Sequence, residues 1–337
     1  MTLKKILMMG FAPFCVLGFA CDDGCSKHSH GAEQSANAVQ TADLAPENIA
    51  AHLQSCCVTL KAGSAEGSGT IFLRSVEGQS VVFILTAHHV VEGLRRTKKV
   101  INDKGDSKTQ ISYGDAHVVQ EWLDQETGER VGETKVLSKI LTVDAKRDIA
   151  LLEVKAKGWK NVSMQFSQEE KFIGAGTAII HCGSPGGQSM GAGSVLFGNV
   201  ARVGCRIPEF GPFPFDQLAC PALGGSSGGM VVRRTGSEAG RWVGMITLGL
   251  RGADSFHWMV PIRVLRDWAE EVDVEWLLAD DGKTTRDDIN KIPLENSKTG
   301  FDRNSKYSAP SFVPPHPGEP SRPEYHRLIR GSLKPPC

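Results

Sequence analysis

From residue 56 to about residue 262, apolar residues arrive in short runs, at 69–73, 81–86, 136–142, 149–154, 178–181, 195–203, 230–232 and 242–250. The runs are rich in Val, Ile, Leu and Thr, and clusters of Gly, Ser and Asn separate them. Many short β-favouring runs punctuated by turn residues predict an all-β sandwich or barrel. A helical period first appears at Ile262, Leu265, Trp268, Val272 and Trp276, which recur every three or four residues and predict one amphipathic helix. Pro261 stands at its entry, where a missing N–H costs nothing.

The flanks carry a different pattern. Lys4 and Lys5 precede an apolar run over 6–20 that is too short to favour a membrane span and suits a signal peptide at residues 1–20. Gly18 and Ala20 place cleavage before Cys21, a position that a lipid anchor could also use. Residues 21–54 are small and polar and read as a linker. Residues 280–337 are polar again, with eight prolines in the last thirty positions, and read as a disordered tail. The folded unit is then 55–279. The 38 basic residues balance 38 acidic ones, which argues against a nucleic-acid partner held by a basic face.

Cysteine usage agrees with an exported, oxidised setting, whether periplasmic, envelope-anchored or secreted. Of nine cysteines, Cys15 would leave with the signal, and the other eight could form disulfides. Adjacent Cys56 and Cys57 cannot easily bond to each other, so each needs a partner elsewhere. Cys21, Cys25, His28 and His30 offer ligands for a metal-handling role, but their irregular spacing favours a solvated linker, and no metal is expected.

Three segments inside the β region carry chemistry. Thr86-Ala87-His88-His89-Val90-Val91 follows an apolar strand, Asp148 opens the run Ile149-Ala150-Leu151-Leu152, and Gly224-Gly225-Ser226-Ser227-Gly228-Gly229 precedes Met230-Val231-Val232. A serine hydroxyl becomes nucleophilic when imidazole takes its proton, and a buried carboxylate fixes that imidazole's tautomer. A glycine-rich turn lets backbone N–H groups approach a developing oxyanion. His88 and Asp144 are near rivals to His89 and Asp148. Only Asp148 directly opens an apolar strand.

These segments resemble the trypsin-like serine proteases, in which they read Thr-Ala-x-His, Asp-Ile/Leu-Ala-Leu, and Gly-x-Ser-Gly-Gly, in the order His, Asp, Ser. The resemblance is closest to the bacterial HtrA/Deg type, through Gly67-Ser68-Gly69-Thr70, Gly183-Ser184-Pro185-Gly186-Gly187 and Phe256-His257-Trp258-Met259-Val260-Pro261-Ile262. It implies a chymotrypsin-like double β-barrel with a C-terminal helix. It also implies a serine endopeptidase acting on polypeptides without a cofactor, through His89 as base, Asp148 as orienting acid and Ser227 as nucleophile. Gly225 and Ser227 would supply the oxyanion-hole N–H groups.

The sequence departs from that pattern in places. The residues after the helix are too few and too polar for a PDZ domain, and Met230 replaces the proline usual after Gly-Gly. Ser226 stands where animal trypsins carry the acid used in zymogen activation. A trypsin fold reused for binding, without activity, is the competing reading. Pro221, Thr247, Leu248 and Gly249 are expected to shape the specificity pocket. They offer no acid for a basic side chain, so a small or medium apolar P1 residue is preferred. His257 is expected to pack in the last strand, the alternative being that it reaches the pocket and favours an acidic P1. Cys205 and Cys220 are expected to face each other across neighbouring strands as a disulfide.

Overall fold

The Val/Ile/Leu-rich runs are strands, and they close into two barrels. The computed structural model describes residues 46–101, 107–124, 126–169, 173–250, 255–296 and 333–334. The signal, lipid-anchor and Cys/His expectations at residues 1–45 lie outside the described residues, as does Cys337.

Helix α1 (Pro46–Cys56) leads into β1 (Cys57–Ala62), β2 (Ala65–Val76) and β3 (Gln79–Thr86), and a single turn, α2 (His88–Val91), follows. Next come β4 (Arg95–Ile101), β5 (Ser107–Tyr113), β6 (Ala116–Leu123), β7 (Arg130–Asp144) and β8 (Ile149–Val154). Strands pair in the order β1-β6-β7-β8-β3-β2, and β1 pairs again with β2, which closes a six-stranded barrel. Strands β4 and β5 form a separate two-stranded hairpin. Every residue of β4 is exposed, and polar side chains outnumber apolar ones along both strands, so no buried alternation marks this hairpin in the sequence.

The second barrel takes β9 (Ala178–Gly183), a turn α3 (Gln188–Gly191), β10 (Ser194–Arg206), β11 (Pro214–Ala219), β12 (Met230–Arg233), β13 (Trp242–Leu250) and β14 (Phe256–Pro261). Its order is β12-β9-β10-β11-β14-β13, closed by β12 on β13. Both barrels are antiparallel, so every closure is made by short-range ladders that leave no free edge between members.

The connection between barrels is ordered by backbone bonds to both. Met164 N–H donates to the Ile71 carbonyl at 2.9 Å, and Trp242 N–H donates to Gln165 at 2.8 Å. Phe166 stacks on Phe72 at 4.3 Å and meets Trp242 edge-on at 5.2 Å. Three buried aromatics, each contributing roughly 1.5–3 kcal/mol on burial, thus join the barrels through one core.

The predicted helix is shorter than its apolar stripe. Helix α4 (Ile262–Glu271) buries Ile262, Leu265 and Trp268, and then the chain turns at Asp273, whose φ is 59°. A left-handed residue cannot continue an α-helix, so Trp276 falls in a separate 3-10 turn and packs edge-on to Phe83 at 4.9 Å.

Order also extends past the expected bounds of the folded unit. Helix α1 buries Ile49 and Leu53 in the core. Downstream, β15 (Lys283–Thr284) adds to β2 in parallel, and α5 (Arg286–Lys291) is capped by the Thr285 side chain. Strand β16 (Leu333–Lys334) pairs antiparallel with β13 at Leu250 and Gly249.

The expected Cys205–Cys220 disulfide is not formed. Strands β10 and β11 are neighbours, as anticipated, but their register sets Cys205 opposite Phe215, five residues from Cys220. At roughly 3.4 Å per residue that offset is about 17 Å, far beyond disulfide reach. Bulges in β10 between Val200 and Cys205 shift the register by two residues toward Cys220, yet the pairing that sets Asn199 opposite Ala219 leaves Cys220 beyond the end of β11.

Candidate active site

Strand β3 ends at Thr86 and α2 begins at His88, so His89 projects from the first turn after a buried strand. Val90 and Val91 are buried and anchor that turn. Asp148 sits at the end of the turn joining β7 to β8, with φ 56°. Aspartate tolerates this left-handed conformation better than most residues, at a cost of roughly 1–2 kcal/mol. The turn aims both carboxylate oxygens at His89: Oδ1 accepts the backbone N–H at 2.9 Å, and Oδ2 meets Nδ1 at 2.8 Å. An ionised carboxylate only accepts, so Nδ1 carries the proton and Nε2 is left as the basic nitrogen.

Asp148 is buried, which pushes its carboxyl up. The His89 charge, with hydrogen bonds from His89 and from the Thr247 hydroxyl, outweighs burial and holds it below the usual carboxylate range. Thr247 therefore serves the acid rather than a substrate pocket, a role the sequence reading did not give it. The only signal for it was a hydroxyl in an otherwise apolar strand.

The rivals are disposed of by their partners. Asp144 is committed to Arg147, whose guanidinium it meets at 2.6 Å and whose N–H it accepts at 2.9 Å. The His88 ring is packed inward, and burial lowers its basicity.

Ser227 lies in the turn before β12 and donates its hydroxyl to the Thr247 carbonyl at 3.4 Å. One residue thus touches both ends of the predicted triad, with its side chain on Asp148 and its carbonyl on Ser227. The turn itself is pinned from the first barrel. Ser68 N–H donates to the Ser227 carbonyl at 2.7 Å, and Ser68 Oγ donates to the Gly225 carbonyl at 2.6 Å.

Glycine is required at two points of this contact. A Cβ on Gly225, whose φ is 92°, would lie 2.4 Å from the Ser184 carbonyl oxygen. A Cβ on Gly67 would lie 2.5 Å from Val90 and 3.1 Å from the Ser227 carbonyl. The 183–187 loop holds the turn from below, since Gly186 N–H donates to the Gly224 carbonyl at 2.6 Å. In a planar trans peptide the N–H points opposite the C=O, so the Gly225 N–H is turned away from Gly186.

The matches to known proteins follow this geometry. A family model for the trypsin-like peptidase domain matches residues 67–245, more than half of the chain. The chain belongs to the trypsin-like peptidase family. This peptidase also resembles solved structures of the HtrA type. "HtrA-type protease AlgW with tripeptide" matches at 19% identity and TM-score 0.48, covering 69% of this chain and 64% of that one. An inactive form of Rv3671c from M. tuberculosis H37Rv matches at 15% identity and TM-score 0.46, covering 67% and 90%. The chain thus spans somewhat less than two thirds of the AlgW chain. No curated protein matches.

The expected pocket residues of the peptidase divide by environment. Pro221 is exposed and Gly249 half-buried, whereas Leu248 points into the core, leaving only its backbone to meet a ligand. Beside Gly249 lies the His257 ring, with Cδ2 2.9 Å and Nε2 3.0 Å from where a Cβ would stand. His257 Nδ1 meets the Cys220 carbonyl at 3.1 Å. His257 is itself buried, so the ring packs between Gly249 and the Cys220 carbonyl. Among the described residues, no group of three or more His, Cys, Asp or Glu side chains is placed to hold a metal ion.

Proposed function

We propose that the chain is an exported serine endopeptidase that cleaves polypeptides through an acyl-enzyme. The observation that carries this reading is the two-point contact of Asp148 with His89, reinforced by Thr247. It fixes the imidazole in the tautomer whose Nε2 can accept the Ser227 proton.

In this reading Ser227 Oγ attacks the scissile carbonyl as His89 Nε2 takes its proton, and Asp148 stabilises the imidazolium. The negative charge that develops on the carbonyl oxygen is met by the N–H groups of Gly225 and Ser227. The Gly186 bond to the Gly224 carbonyl supports that orientation at Gly225. His89 then returns the proton to the leaving amine, and the same steps with water release the acyl group. No cofactor enters. Gly249 and Pro221 border the P1 side chain, and a small or medium apolar residue suits a space narrowed by the His257 ring. Export rests on the Lys4-Lys5 and apolar 6–20 pattern.

A fluorophosphonate probe tests the nucleophile. Labelling of the native chain and its loss in Ser227→Ala is the expected result. Equal labelling of both removes Ser227 as the nucleophile, and labelling of neither leaves a trypsin fold used for binding.

A further inference from the structure

Two cysteines from different barrels meet away from the triad. Where β1 passes β9, Thr59 Oγ1 and Ser184 Oγ are hydrogen-bonded at 2.7 Å, and both residues are buried. Side chains alternate along extended chain, so the residues two positions earlier share the faces of Thr59 and Ser184. Those residues are Cys57 and Cys182, 4% and 0% exposed. The neighbouring Cys57 thiol, together with burial, pushes the Cys182 thiol well above its ordinary range. Cys56 faces elsewhere: its sulfur is 3.9 Å from Ser55 Oγ and 3.9 Å from His52 Nε2.

We propose that Cys57 and Cys182 are a disulfide site that cross-links the two barrels at the root of the 183–187 loop. The oxidant is a disulfide of the glutathione class. One protein thiolate attacks a sulfur of the oxidant, forming a mixed disulfide and releasing one thiol. The second protein thiolate then displaces the other half. One protein S–S bond replaces the S–S bond of the oxidant, two electrons pass to the oxidant, and both protein thiol protons end on the released thiols. Because both sulfurs are sealed in the folded core, the exchange belongs to folding, as the barrels dock.

The cross-link sits where it bears on the nucleophile turn. Ser184, two residues beyond Cys182, donates its N–H to Ser68 Oγ at 2.8 Å, and Ser68 Oγ in turn donates to the Gly225 carbonyl. A covalent tie at Cys182 closes a long loop between the barrels and limits how far they separate in the unfolded chain.

The test is to refold the full chain with oxidised glutathione, digest it without reduction and map the peptides by mass. The expected product joins the Cys57 and Cys182 peptides, is two mass units lighter than their sum, and disappears on reduction. It should persist in Cys56→Ala and vanish in Cys57→Ala. Thermal unfolding of the oxidised chain should lie about 5–10 °C above that of Cys57→Ala/Cys182→Ala. Recovery of both cysteines as free thiols overturns the proposal, as does pairing of either with Cys56, Cys205 or Cys220. The mass readout holds whether or not the chain cleaves peptides.

Discussion

Thr247 donates its hydroxyl to the same Asp148 oxygen that receives His89 Nδ1–H, while its own carbonyl accepts from Ser227 Oγ. The strand β13 thereby sets the spacing between the proposed acid and nucleophile. Hydrogen bonds to a charged acceptor contribute about 1.5–3 kcal/mol, and removing one frees the carboxylate to rotate away from the ring. Thr247→Val keeps the side-chain shape and deletes the donor. It should lower kcat by about 10- to 100-fold with little change in KM, as steady-state kinetics on a peptide substrate would show. Unchanged kcat would mean that Asp148 is held by His89 alone.

Gly225 gives a sharper cut between activity and folding. Its φ of 92° and its 2.4 Å approach to the Ser184 carbonyl leave no room for a methyl group. Gly225→Ala must shift the 224–225 peptide and with it the N–H proposed for the oxyanion. Loss of one such donor costs about 10²–10³ in kcat. Circular dichroism should still report a folded protein, since the turn lies outside the barrel ladders. Activity within a few-fold of the native chain would remove Gly225 from the oxyanion hole.

His181, packed against Gly229 at the end of the nucleophile turn, makes stability pH-dependent. Burial lowers its basicity from 6.5 to about 4, against a smaller opposing contribution from the Met230 carbonyl. The folded state therefore keeps the ring neutral where the unfolded chain protonates it. Stability from this residue is complete above pH 6.5 and is lost as pH falls from 6.5 toward 4. The full loss is about 3 kcal/mol. Urea unfolding at pH 7.5 and pH 5 should show the drop in the native chain and a much smaller one in His181→Gln. Equal drops would place the effect on other groups.

How much of this was legible follows from what each residue needs locally. Strands β8 and β13 were read to the residue because both are nearly continuous apolar runs bounded by turn residues. The β4–β5 hairpin escaped because its few apolar residues, such as Val100, Ile101 and Ile111, are scattered among Lys, Arg, Thr and Ser and form no run. The proposed His89, Asp148 and Ser227 could be singled out because each sits at or near a strand end in a short motif. Thr247 was not, because its partner is 99 residues away and a threonine in a strand is unremarkable on propensity alone. The Cys205–Cys220 expectation failed for a related reason. Register is a property of the paired strands rather than of either sequence run, and the pairing of Asn199 with Ala219 places Cys220 beyond the end of β11.

The last prediction concerns which side chain enters the site. The His257 ring lies against Gly249, and its Nδ1 meets the Cys220 carbonyl, so in the proposed reading the imidazole would narrow the space open to a P1 side chain. With His257 present, a small or medium apolar P1 residue should be preferred, and cleavage after Lys or Arg should be rare for want of an acid. His257→Ala removes the ring and deepens the space, and each added methylene there is worth about 1–3 kcal/mol. Mapping the cleavage sites in an unfolded test protein should show P1 shifting from Ala and Val toward Leu and Phe, with the kcat/KM ratio changing at least about tenfold. If the native enzyme instead cuts after Asp or Glu and His257→Ala loses that activity, the ring is a charge reader and the apolar preference is wrong. A profile untouched by the substitution would place His257 in the barrel packing alone.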